Sequence, residues 1–347
     1  MSKRRLLFLA AVLSAFALVA AGCGSDSDDA SGGGDSGGSE DVELSIVAYS
    51  TPEAAYGELT EAFQQTDAGA GVTFQQSFGS SGDQSRAVAE QGLPADVVEF
   101  SLEPDMNRLV DNEIVAPDWN ETPTDGNVTE SVVVFMVRSG NPEGIETWDD
   151  LTADGIEVIN PNPFTSGGAR WNVMAAYASQ IEQGATEEEA IQYLNDLYAN
   201  VTVQDDSARK SLETFTGGAG DVLLGYENEA IFAQQNGADI DYVIPPQTIL
   251  IENPVAVTET TEHAEQAQAF YDYLFTEEGQ QIFADNGYRP VIDGVDPPEG
   301  FEFPTDIAIA NIDDFGGWTE VMDTFFDTED SIMKDVQEGI GVQVESV

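Results

Sequence analysis

Basic residues are scarce in this 347-residue chain: 11 lysines and arginines face 65 aspartates and glutamates, for a net charge of −54. That balance excludes nucleic acid as a partner, and it excludes docking on anionic lipid by charge, because the long-range field repels both. Histidine occurs once, as His263. A serine hydrolase needs a base beside its nucleophile, whereas His263 lies in a polar helix start, Thr261-Glu262-His263-Ala264-Glu265. The one G-x-S-x-G match, Gly34 to Gly38, has no strand or helix around it to make a nucleophile elbow. An enzyme is therefore not expected. No His/Cys cluster favours a transition metal and no D-x-D-x-D-G run favours calcium, so neither metal nor cofactor is expected. Cysteine also occurs once, which rules out an internal disulfide. Beyond the N-terminal segment, no apolar run is long enough to cross a bilayer.

What is there begins with Met1-Ser2-Lys3-Arg4-Arg5 and an apolar run from Leu6 to Ala21. At about 16 residues the run is too short for a comfortable membrane span, and its basic head and small-residue end read as an export signal over 1–22. Ala20-Ala21-Gly22-Cys23 resembles a bacterial lipobox, which implies that Cys23 is diacylated and becomes the new N-terminus. Residues 23–41, almost entirely Gly, Ser and Asp, cannot bury a core and read as a flexible tether. Roughly 300 residues follow, in a chain that is 41% hydrophobic, enough for two packed α/β domains.

The stretch Asn162 to Trp171 organises the rest. A strand-like run, Gly155 to Ile159, leads to Pro163, which blocks helix before it; Ser166 can cap a helix, and Gly167-Gly168 leave its first turn without side chains. Bare N–H groups at a helix start, with the positive end of the helix dipole behind them, attract an anion.

The same grammar recurs along the chain. Strands are expected at Val42–Tyr49, Val72–Ser77, Asp96–Phe100, Glu130–Arg138, Val201–Val203, Gly220–Tyr226, Ile240–Ile244 and Thr248–Ile251, with one long helix from His263 to Asp285. Alternating strands and helices argue for parallel sheets. Four strand-to-helix turns, at Ser50, Ser81, Ser166 and Ala208, start with small or hydroxyl residues, and ligands of open α/β sheets gather beyond such strand ends. Two turns in the first third and two in the middle suggest a cleft between two lobes.

These segments together resemble the sulfate- and thiosulfate-binding proteins of ABC importers, of the type II periplasmic-binding-protein fold. The resemblance is carried by Gln76-Ser77-Phe78-Gly79-Ser80-Ser81-Gly82-Asp83-Gln84, by Ile159-Asn160-Pro161-Asn162-Pro163 with Thr165-Ser166-Gly167-Gly168-Ala169-Arg170-Trp171-Asn172, and by Gly220-Asp221-Val222-Leu223-Leu224 with Glu227-Asn228-Glu229-Ala230. Tyr288-Arg289-Pro290 and Phe315-Gly316-Gly317-Trp318 continue it. The resemblance implies an α/β, two-lobed fold with lobe 1 at 42–128 and 250–347, lobe 2 at 129–249, and hinges near Asn127–Val132 and Pro245–Glu252. It also implies that sulfate is held dehydrated by neutral donors: the hydroxyls of Ser81 and Ser166, the N–H groups of Ser50, Gly167, Gly168 and Ala208, and a ring donor from Tyr226. The implied protein is a monomeric, lipid-anchored receptor working with ABC permease subunits, outside the cytoplasmic membrane or in the periplasm. Phosphate, thiosulfate or another tetrahedral oxyanion is the alternative ligand.

The chain departs from that pattern at Tyr226, where the family usually has Trp, at Asp83, where a basic residue often follows the glycine, and at Asp206, which replaces a small residue. Ser50 stands where an acidic residue is usual. A carboxylate facing the ligand would accept from a protonated oxyanion, which phosphate offers at neutral pH and sulfate does not.

Overall fold

A computed structural model describes residues 42–344. The expected signal segment, Cys23 and the expected tether lie outside the described residues. The first strands β1 (Val42–Tyr49), β2 (Val72–Gly79) and β3 (Val97–Glu99) run parallel, and each feeds a helix: α1 (Glu53–Phe63), α2 (Ser81–Gln91) and α3 (Glu103–Asp111). β1 alternates at its start and is buried throughout its last four residues, as a strand covered on both faces must be.

Next come β4 (Asn127–Arg138), β5 (Val158–Ile159), α4 (Gly167–Glu182), α5 (Glu187–Ala199), β6 (Val201–Val203), α6 (Ala208–Thr216), β7 (Val222–Tyr226), α7 (Glu227–Gln235) and β8 (Ile240–Val243). The chain ends with β9 (Gln247–Val257), α8 (Ala264–Leu274), α9 (Glu277–Asp285), β10 (Ala308–Ala310), α10 (Gly317–Val321) and α11 (Ile332–Gly339).

The sheet order is β2-β1-β3-β9-β4-β7-β5-β6, with β10 beside β9 and β8 beside β4. β4 and β9 are antiparallel from Asn127↔Pro254 to Val132↔Leu250. The far end of β9 then pairs with β3, and the far end of β4 pairs with β7, both antiparallel. The expectation of parallel sheets thus holds for β1-β2-β3 and β5-β6-β7 and fails at the two strands that join them. A strand that leaves one sheet for the other and a second that returns must run in opposite directions.

Apolar side chains divide accordingly. Tyr56, Phe63, Phe270 and Phe283 fill one cluster with Leu44 and Ile46, while Trp171, Tyr198 and Leu224 belong to another. Each fully buried side chain of this size contributes about 1.5–3 kcal/mol. Past residue 310, Trp318, Phe325, Phe326 and Met333 join the Trp171 cluster, with Trp318 edge-on to Trp171 at 4.7 Å between centroids.

The long helix expected over His263–Asp285 is two helices. Thr276 breaks it by accepting from the Gly279 N–H at 3.0 Å, as an N-cap does. Gly279 is required there, because a Cβ would lie 2.3 Å from the Tyr273 carbonyl oxygen.

Candidate functional site

Helix starts gather at the carboxyl ends of the strands. Ser80 is the N-cap residue of α2, Ser166 caps α4 and Ser207 caps α6. Their first residues, Ser81, Gly167, Gly168 and Ala208, carry N–H groups with no carbonyl one turn earlier to receive them. A Cβ on Gly168 would meet Ala208 Cβ and Tyr226 Cε1, both at 3.3 Å, so α4, α6 and the end of β7 converge on one point. On Gly167 a Cβ would lie 2.6 Å from Ser101 Oγ, which brings the turn after β3 to the same place. Glycine is required by that close approach.

The two groups of turns touch directly. Tyr226 OH and Ser101 Oγ are hydrogen-bonded at 2.6 Å, and Trp171 Nε1 donates to the Ser101 carbonyl at 2.8 Å. Arg209 N–H donates to Ser50 Oγ at 3.5 Å, and Arg209 Nη2 donates to the Thr51 carbonyl at 2.8 Å. All seven residues expected from the sequence therefore lie on the turns that meet here, six of them buried and Ala208 half-buried.

Their hydroxyls are not equivalent. Ser166 Oγ accepts from Ala169 N–H at 3.4 Å and keeps its own proton. Ser81 Oγ donates to Asp105 Oδ2 at 2.6 Å and accepts from Ser101 N–H at 3.0 Å. A hydroxyl has one proton, so Ser81 has no O–H left to give while Asp105 holds it. Burial raises the Tyr226 phenol, with the Ser101 hydroxyl working against the rise, so Tyr226 keeps its proton at any ordinary pH.

Both questioned carboxylates turn outward. Asp83 is exposed, accepts from Ser80 Oγ and pairs with Arg86. Asp206 is exposed, and its carbonyl accepts from Thr165 Oγ1 at 2.9 Å. The nearby cation is committed as well: Arg209 pairs with buried Glu229 at 2.7 Å and stacks over Phe232. His263 is half-buried at the head of α8, where its N–H donates to Thr261 Oγ1. Among the described residues no group of three or more acidic, histidine or cysteine side chains is arranged to hold a metal ion.

Two participants were missed in the sequence. Ser101 sits in Phe100-Ser101-Leu102-Glu103-Pro104, a strand end followed by proline in the first helical turn, and that pattern could have found it. Asp105 had no such signal, since nothing local says that its carboxylate reaches back to Ser81.

The sequence pattern of the family described as bacterial extracellular solute-binding protein matches residues 44–289. The chain is 42% identical to a sulfate-binding protein of Synechococcus elongatus over 94% of both chains. It is 34% identical to a thiosulfate-binding protein of Pseudomonas aeruginosa, covering 81% of this chain and 88% of that one. Among solved structures, the sulfate-binding protein SubI from Mycobacterium tuberculosis superposes with a TM-score of 0.78 at 42% identity, over 82% of this chain and all of that one. A periplasmic thiamin binding protein, at 15% identity and a TM-score of 0.69, shares the fold.

Proposed function

This chain belongs to the bacterial extracellular solute-binding protein family, and we propose that it captures sulfate outside the cytoplasm for an ABC importer. The observation that carries this reading is the convergence of the α2, α4 and α6 starts on a buried point that has neutral donors, with the guanidinium of Arg209 beside it already paired with Glu229. A dianion that keeps no proton is stabilised there by N–H and O–H groups and helix dipoles alone. Such short-range donors outweigh a distant acidic surface whose field is screened over about 8–10 Å.

In this reading the N–H groups of Ser50, Ser81, Gly167, Gly168 and Ala208 point at sulfate, and Ser166 gives its hydroxyl proton. The Tyr226–Ser101 pair holds two protons and uses one internally, so one remains for the ligand. Ser81 serves through its backbone, because its hydroxyl is bonded to Asp105. In place of the expected division into 42–128 with 250–347 and 129–249, the pairing of β4 and β9 supports a first lobe of 42–126 and 255–300 and a second of 133–246. The C-terminal helices go with the second lobe, since Trp318 and Phe325 pack into the Trp171 cluster. Acylated Cys23 and the tether hold a monomeric receptor at the outer face of the membrane, within reach of the permease.

Calorimetric titration tests this. One sulfate per protein should bind with Kd at or below about 1 µM, roughly −8 kcal/mol. Absence of saturable heat up to millimolar sulfate would overturn it, and thiosulfate or molybdate winning would name another tetrahedral ligand for the same donors.

A further inference from the structure

A cavity of about 320 Å3 lies behind the starts of α2 and α4, lined by Arg86, Arg108 and Arg170. The whole chain has only 11 basic residues, and three of its guanidinium groups share this one cavity. The floor is apolar, formed by Phe164, Met322 and Phe326.

Arg170 is the informative member. It is 8% exposed, yet no carboxylate lies within ion-pair distance of it among the described residues. Nε donates to the Pro163 carbonyl at 2.8 Å and Nη1 reaches the Met322 thioether at 3.5 Å, which leaves most of its five N–H groups without a protein acceptor. It also stands in the first turn of α4, where the helix dipole disfavours a cation. Burial pulls its pKa down, and the field of Asp105 works against that fall, but the Asp105 oxygens bond Ser81 and Arg108. Arg86 and Arg108 use part of their guanidinium donors on Asp83 and on Asp105 and Ser85, and line the cavity with the rest.

A buried cation with few acceptors, opening on a cavity shared with two further guanidiniums, lacks an anion. We propose that this cavity is a second anion site, separate from the sulfate cleft, which takes an oxyanion head group carried on a small apolar body. The head group sits against Arg170, and the body lies on Phe164 and Phe326. Glu90, Asp323 and Asp327 also line the cavity, and all three are exposed. One Asp327 oxygen is held by the N–H groups of Glu329 and Asp330. These rim acids exclude bulky polyanions and leave room for a single charge.

The probe is benzenesulfonate, titrated by calorimetry into protein saturated with sulfate, with sodium chloride as the ionic-strength control and benzoate as the planar counterpart. Saturable one-to-one binding is expected, weakened about tenfold or more by Arg170→Gln and several-fold by Arg86→Gln, and unchanged by Ser166→Ala. Arg86 is partly exposed, so its variant decides the question even if Arg170→Gln fails to fold. The proposal is overturned by no saturable binding to the sulfate-loaded protein. It is equally overturned by binding that sulfate displaces, or by binding that Arg86→Gln leaves unchanged.

Discussion

Ser166 and Ser81 show how much a single proton decides. Both are buried serines at helix starts, and the sequence gives them the same role. Only Ser166 retains a free O–H, since Asp105 takes the proton of Ser81. Ser166→Ala should weaken sulfate binding by about 1–3 kcal/mol, because a charged acceptor loses a donor in a dry site. Ser81→Ala should cost affinity clearly less, and should instead lower thermal stability by leaving Asp105 short of a donor. Equal affinity losses in the two variants would put the Ser81 hydroxyl on the ligand.

Glu99 presents a second residue-scale case. It is fully buried two positions before Ser101, and among the described residues neither of its oxygens has a hydrogen-bond partner; the Tyr49 and Tyr56 hydroxyls are likewise unpartnered there. Burial raises its pKa to about 8, with Tyr56 working against the rise, so Glu99 carries a proton at neutral pH. The native state then holds a proton that the unfolded chain releases above the ordinary carboxylate range of about 4.5. Its contribution to stability is therefore best below about 4.5, falls as pH rises toward 8, and changes no further beyond that. Glu99→Gln should remove this slope and gain on the order of a few kcal/mol over the wild type near pH 8. Denaturant melts of both proteins at several pH values check it; parallel curves would show that Glu99 is not the titrating group. Composition could not reveal this residue, since one buried carboxylate looks like any other in a chain with 65 acidic residues.

At the scale of elements, period and punctuation made most of the fold legible. The β1, β2 and β7 strands, the capped starts of α4 and α6, and the strand-to-helix turns all follow from local chemistry. What failed were features set by distant partners. β5 shrinks to Val158–Ile159 because only those residues find neighbours in β6 and β7. β9 runs on to Val257 because β3 pairs with its far end. The break at Thr276 was readable as a cap and was overridden by an apolar period that continued through it.

The β4–β9 pair has a functional consequence, because it is the sheet connection between the two halves. In the proposed division into lobes, the contacts from Ser101 to Tyr226 and from Arg209 to Thr51 cross the cleft. Small dihedral changes along these strands would open it. Small-angle scattering should therefore show a smaller radius of gyration with saturating sulfate than without. Superimposable curves would count against a cleft that closes on its ligand.

At the scale of the whole molecule, the net charge of −54 and the capture of an anion are reconciled by distance. The acids that the sequence leaves in doubt, Asp83 and Asp206, are on the surface, while the proposed ligand contacts are N–H and O–H groups. A cleft of donors should reject an oxyanion that keeps a proton, because that proton would face another donor while desolvated. Competition between sulfate and phosphate near neutral pH tests this most directly. Sulfate should bind at least about a hundredfold tighter, roughly 2.7 kcal/mol. Phosphate binding as tightly or more so would contradict the account, and would locate an acceptor in the cleft, with the uncommitted lone pair of Ser81 Oγ the first place to look.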